Sequence, residues 1–412
     1  MITSASRVMS VCASVLAGLA LAGPLTPPPG AVAPTGKTTD EIEPRIAINA
    51  QNTPGDSGSV FRITQPGSYY LTGNVTGVAG RDGIEVVAED VTIDLGGFSL
   101  IGVPGSLNGI LANSGSVDGL RVRNGIVSNW GNLGIFATTA DSAHVEGITA
   151  RANGSNGITL GSVSVVRNCI ADANGGIGIR LQDGGRVVDC TASRNGTFGI
   201  SANFASVISG CSAFRNTLSG ISASVSATIS ECTSYDNEGA GIIASAGSQV
   251  VNCTARLNND GGISLTGSGG MVHGCSLAAN EVFGISTNGN SSVLDNAVVD
   301  HPTGIRVVNN SIVRNNNVVA GGNTVGNVGI LVESSDNRIE GNNVESSGIG
   351  YDINALGNIV LRNAASGNSK NYEIASGNRV AVIVSPPGSG QIDGSTGGAG
   401  LGTTDANANF SY

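Results

Sequence analysis

Thiols, carboxylates and aromatic rings are the side chains here whose spacing could do chemistry, and the thiols are the most regular. Cys169, Cys190, Cys211, Cys232, Cys253 and Cys275 recur at intervals of 21 or 22 residues. Each stands five residues before an asparagine: Asn174, Asn195, Asn216, Asn237, Asn258 and Asn280. Stacked thiols could form disulfides between adjacent repeats, as even sets of cysteines do in exported chains, or offer thiolates to a soft metal. Strand spacing would put neighbouring Cα atoms about 4.8 Å apart, yet parallel Cβ vectors would hold the Cβ atoms wider than the ~3.8 Å of a relaxed bridge. The same register holds Ile148 upstream and Asn296, Asn316, Asn342 and Asn363 downstream. A position that accepts Ile, Cys and Asn is a packing slot rather than a ligand, so buried free thiols are the favoured expectation. Disulfides and a soft-metal site are the alternatives.

Carboxylates could act as acid, base or Ca²⁺ ligand, but only if clustered. The outward register carries Asp189, Glu231 and, three repeats further, Asp295, with Gly210 between the first two. Two repeats span about 9.6 Å, at or beyond the outer limit of an inverting pair, so solvated surface charge is expected. More suggestive are Phe214 and Tyr235, one repeat apart, with Arg194, Arg215, Asp236, Arg256 and Asp172 around them. Aromatic rings beside charged hydrogen-bonding groups make a carbohydrate platform; the plainer reading is an aromatic ladder with surface ion pairs. Trp130, the only tryptophan, and Asp94 in VTIDLGG read as packing and as a tie to the N-terminal end. His144, His273 and His301 lie too far apart to share a metal, and no nucleotide loop, nucleophile elbow or zinc motif is present. No cofactor and no metal are expected.

The element that must position these residues is a single repeat. Gly178 to Phe198, GIRLQDGGRVVDCTASRNGTF, aligns with Gly199 to Ser219, GISANFASVISGCSAFRNTLS. The apolar positions alternate over two to four residues, carry β-branched side chains and show no 3.6-residue stripe, which predicts three short strands and no helix. Self-similarity at this period means a solenoid. The fold expected is all-β: a single-stranded right-handed parallel β-helix of about 13 coils of about 21 residues, roughly 60 Å long, behind an N-terminal cap. Ile at the second position, with Val187, Ile208, Ile229 and Val250 at the tenth, should fill the interior. The Asn row should stack at an inward bend, satisfying turn groups otherwise buried unpaired. Gly at the first position should supply unusual backbone angles.

Composition limits the partners. The net charge is -10, only 12 % of residues are charged, and there is no basic run, so nucleic acid lacks its phosphate-neutralising footprint. Arg7, the small apolar stretch from Val8 to Leu19 and Ala20-Leu21-Ala22 read as a cleaved secretory signal, which would carry Cys12 away with it. No later segment is long and apolar enough to span a bilayer as a helix. The expected organisation is a signal peptide (1–22), a Pro-rich linker (23–36), a cap (37–82), the parallel β-helix (83–384) and a C-terminal tail (385–412), in a secreted, periplasmic or cell-surface protein.

The G-I-x-L, I-x-x-N/C and N-x-x-x-G-I pattern, with VTIDLGGF and the NRIEGN stretch at Asn337 to Asn342, resembles the right-handed parallel β-helix repeats of the pectate-lyase-like superfamily. The resemblance covers roughly Gly83 to Arg379 and implies the fold. That superfamily includes lyases, glycoside hydrolases, epimerases, phage tailspikes, adhesins and a periplasmic copper-delivery protein, so it selects no function. The expectation is a non-catalytic glycan-binding or cell-surface structural module. The alternative is a polysaccharide lyase or hydrolase using Asp82, Glu85, Arg121, Arg123 and Asp141 of the irregular coils, provided Gly102 to Asn108 and Asn129 to Leu133 wall a cleft.

Overall fold

A coil of this chain buries one side of each short strand and pairs its edges only with the coils before and after it. The computed structural model of the chain describes residues 44–113, 115, 117–322, 325–394 and 403–412. The expected signal peptide, the linker and residues 37–43 of the cap lie outside the described residues. Those described contain strands and no α-helix, arranged as a 16-stranded sheet and a 30-stranded sheet whose pairings are parallel.

Register follows the repeat. Ile179, Ile200, Ile221, Ile242 and Ile263 face one another on successive strands of the 16-stranded sheet. Val187, Ile208, Ile229 and Val250 do the same in the larger sheet. All of these are fully buried, each worth roughly 1.5–3 kcal/mol in transfer free energy.

The sheet counts correct the coil number: one strand of every coil enters the smaller sheet, giving about 16 coils rather than about 13. The difference arises at the ends, where Ser59–Ile63 pairs with Asp82–Val86 and Gln391–Gly394 pairs with Lys370–Ile374, although neither end strand carries the Gly-Ile dipeptide.

The corners also differ from expectation. The Gly before each Ile has no positive φ; it is required by space, since a Cβ on Gly178 would lie 2.6 Å from both Asn195 Nδ2 and Gly199 O. Left-handed backbone occurs instead at three other points of the regular coil: Val163, Gly184 and Ala205; Asp189, Gly210 and Glu231; and Arg194, Arg215 and Asp236. These three turns divide the strands.

Two polar rows hold the bends. Asn153, Asn174, Asn195, Asn216, Asn237, Asn258 and Asn280 are buried, the first six each passing Nδ2 to the next Oδ1 at 2.8–3.0 Å. The same Oδ1 accepts the preceding residue's backbone N–H, as from Asn195 to Asn216 at 3.1 Å. The cysteine slot continues into a second Asn row, Asn296, Asn316, Asn342 and Asn363, joined side chain to side chain at 2.9–3.0 Å.

Candidate functional site

The aromatic pair follows from the register. Ser212–Phe214 and Thr233–Tyr235 are adjacent strands whose middle residues, Ala213 and Ser234, point into the core. Phe214 and Tyr235 therefore face outward, half-buried, with ring centroids 4.8 Å apart and planes inclined by 9°. Ser193 precedes them in the column and Arg256 follows. Arg194 grips Asp172 with Nε at 2.9 Å and Nη2 at 2.6 Å, and Ser193 adds its hydroxyl at 2.6 Å. Partial burial pushes the Asp172 carboxyl up, but the hydrogen bonds from Arg194 and Ser193 prevail and hold it below the usual range. Arg215 donates from Nε to Asp236 at 2.9 Å. Arg194, Arg215 and Asp236 all sit in the left-handed corner beside the rings.

The six thiols are buried and free, 1–2 % exposed. Each lies against backbone oxygen, Cys211 for example against Ser209 O at 3.3 Å and Val187 O at 3.6 Å. Hydrogen bonding to neighbouring thiols, with burial, pushes Cys169, Cys211 and Cys275 far above the usual thiol range. Among the described residues no group of three or more His, Cys, Asp or Glu could hold a metal ion.

The groups of the irregular coils hold the backbone. Asp82 is buried and accepts from the backbone N–H and Nδ2 of Asn108, both at 2.8 Å. Glu85 pairs with Arg62 at 3.0 Å, and Asp141 accepts the Ser162 N–H at 2.9 Å. Asp94 binds Arg45 at 3.3 Å and Arg123 at 3.1 Å and accepts the Gly96 N–H at 2.9 Å. The two excursions stack on each other, Asn132 N donating to Leu107 O at 3.0 Å and Leu133 N to Asn108 Oδ1 at 3.1 Å. Trp130 is buried, its Nε1 donating to Leu100 O at 3.3 Å. Added Cβ atoms on Gly77 and Gly83 would come within 2.8 and 2.7 Å of its ring.

Sequence reasoning missed a row of carboxylates. Asp352, Glu373 and Asp393 occupy equivalent outward positions on three successive strands, closer than the spacing expected for this chain's acids. Lys370 reaches Glu373 at 2.8 Å and Asp393 at 2.7 Å. Burial, then the charge of Glu373, pushes Asp352 above the usual carboxylate range. The signal was the echo of Tyr351-Asp352-Ile353 in Tyr372-Glu373-Ile374, which departs from Gly-Ile but keeps its register.

Among known proteins, the family model described as a right handed beta helix region matches residues 70–207, 186–276 and 205–344. No curated protein matches. Of solved structures, the A-module of the Azotobacter vinelandii mannuronan C-5 epimerase AlgE6 is similar over 77 % of this chain and 87 % of its own, at 13 % identity and a TM-score of 0.48. The A-module of AlgE4 from the same organism covers 71 % and 90 % respectively, at 14 % identity and 0.45. The Dettilon tailspike protein covers 68 % and 62 %, at 15 % identity and 0.37.

Proposed function

The chain belongs to the right-handed β-helix family, and we propose that it is an exported, non-catalytic module that binds glycan or builds part of the cell surface, with Phe214 and Tyr235 as its carbohydrate platform. The observation that carries this reading is the stacked, outward-facing pair, its ring centroids 4.8 Å apart. A sugar ring presents C–H groups to an aromatic face and hydroxyls at its rim. The Arg194–Asp172 and Arg215–Asp236 pairs stand at that rim, and Arg256 continues the column. Export rests on the basic start, apolar stretch and small-residue cleavage site of the first 22 residues. The divisions at 22, 36, 82 and 384 are part of the same proposal.

A second reading, a polysaccharide lyase or hydrolase, is favoured by one observation, the Asp352, Glu373 and Asp393 row. Strand spacing of about 4.8 Å approaches the ~5–5.5 Å of a retaining carboxylate pair. The test takes the purified chain against neutral and acidic polysaccharides, with and without Ca²⁺, scoring reducing ends, unsaturated products and binding. The expected result is binding without release, weakened at least tenfold by F214A and Y235A together. Release abolished by D352N or E373Q would replace the first reading with the second.

A further inference from the structure

On the larger sheet, away from the aromatic pair, the strands Val91–Asp94, Arg121–Ser128, His144–Arg151, Val165–Arg167 and Arg186–Val188 lie side by side in five successive coils. Their inward residues, Ile93, Val122, Val145, Val166 and Val187, are fully buried. The outward residues therefore form two columns, Thr92, Arg121, His144, Val165, Arg186 and Asp94, Arg123, Glu146, Arg167, Val188. Ten positions hold four arginines, in a chain whose net charge is -10. Both carboxylates of the strip are occupied, Asp94 by Arg123 at 3.1 Å and Glu146 by Arg167 at 3.5 Å. Arg121 and Arg186 are exposed, and among the described residues neither has an ion-pair partner.

A second observation points to a ligand. His144 Nε2 is enclosed yet has no hydrogen-bond partner, and the ring lines a cavity of about 80 Å³ with Thr92, Arg121, Arg123 and Glu146. Two coils further along, Val165, Arg167, Arg186 and Val188 line another, of about 340 Å³. In the tautomer that carries its proton on Nε2, the ring can donate together with the unpaired Arg121 guanidinium to one anionic acceptor. The repetition of such a pocket about 9.6 Å along the rod, roughly the length of a disaccharide, calls for a ligand whose charges recur at that interval.

We propose that this strip binds an acidic polysaccharide bearing a carboxylate or sulfate on alternate sugars, one anion seated on Arg121 and His144 and the next on Arg167 and Arg186. The inference rests on the glycan reading but on residues separate from Phe214 and Tyr235.

The full chain is titrated calorimetrically with hyaluronan (carboxylate on alternate sugars), chondroitin sulfate (sulfate added), polygalacturonate (carboxylate on every sugar), dextran and single-stranded DNA, at low and high salt. One or both alternating polymers should bind best and weaken with salt, and which of them does so identifies the anion. R121A with R186A should cost at least tenfold, H144A severalfold. R180A, which removes an exposed arginine from the other sheet, should change affinity less than twofold. Equal losses with R180A, equal binding of polygalacturonate or DNA, or no binding of any acidic polymer would overturn the proposal. If only neutral glycan binds, and F214A abolishes it, the strip fails and the platform stands; if no glycan binds, both fail.

Discussion

A buried polar atom in this molecule is cheap only when the next coil supplies its partner, and two residues test that rule. Cysteine meets it weakly, since the thiol needs little and neighbouring thiols and carbonyls give that little. Burial also denies reagents access to all six, which are 1–2 % exposed. All six ladder thiols should therefore resist a thiol-specific reagent such as dithionitrobenzoate in the folded chain and react together in denaturant; fast titration of any one under native conditions would mean that the slot is open. His301 meets the rule poorly. It stands where the Asn row ends, takes the Asn280 backbone N–H on Nδ1 at 3.1 Å, and leaves Nε2 enclosed without a partner. Burial lowers its pKa below 6.5, against the backbone of Asn280 and Leu277 and, least, the charge of Asp300, which pull the other way. The unfolded chain takes up this proton near pH 6.5, so the stability His301 contributes is complete above that pH and is lost as the pH falls toward the folded value. H301N, which extends the row with an amide, should flatten the acid limb of stability below about pH 6.5 in denaturant melts; an unchanged slope would assign that limb to other groups.

At the scale of the element, each regular coil is three short strands joined through left-handed corners, and the corner residues set its local strain. Val163 is the worst placed, a β-branched residue at φ 55°, exposed, in the column where the next coil carries Gly184. The left-handed backbone costs a non-glycine residue roughly 1–2 kcal/mol, while glycine loses about 0.5–1 kcal/mol more backbone entropy on folding. Relief should win narrowly: V163G should stabilise the chain by about 0.5–1 kcal/mol in urea melts, whereas V166G, at a fully buried inward position, should cost several. Destabilisation by V163G would mean that its side chain packs more than its exposure implies. These corners were not legible in the sequence because Val, Ala, Ser, Asp, Arg and Gly all occupy them, and the glycine that did recur answers a different need, the close approach of the Asn row.

The whole molecule is an array in which each coil sees only its neighbours, and this decides what could be read from the sequence. In-register stacking copies a residue type from coil to coil, so the Ile, Asn and Cys rows announced the fold and placed Phe214 beside Tyr235. Where spacing departs from 21, the rows persist in space but not in the alignment. Arg121 faces His144 across an interval of 23 residues, and Glu373 faces Asp393 across 20; the N-terminal end of the Arg strip and the last member of the carboxylate row were hidden for that reason, while Asp352 and Glu373 keep the interval of 21. Nearest-neighbour stability also makes a whole coil removable. Deleting residues 178–198 would bring the Gly157 coil onto the Gly199 coil with every row intact: Ile158 against Ile200, Val166 against Ile208, Cys169 against Cys211 and Asn174 against Asn216. The shortened chain should remain soluble and β-rich by circular dichroism, unfold in one transition and melt within a few degrees of the parent, because one interface is lost and an equivalent one forms. Deleting residues 178–187 removes half a coil, leaves Asn174 without its Asn195 partner in the next coil and should abolish folding. Equal damage from the two deletions would mean that stability is held by the ends rather than by the repeat.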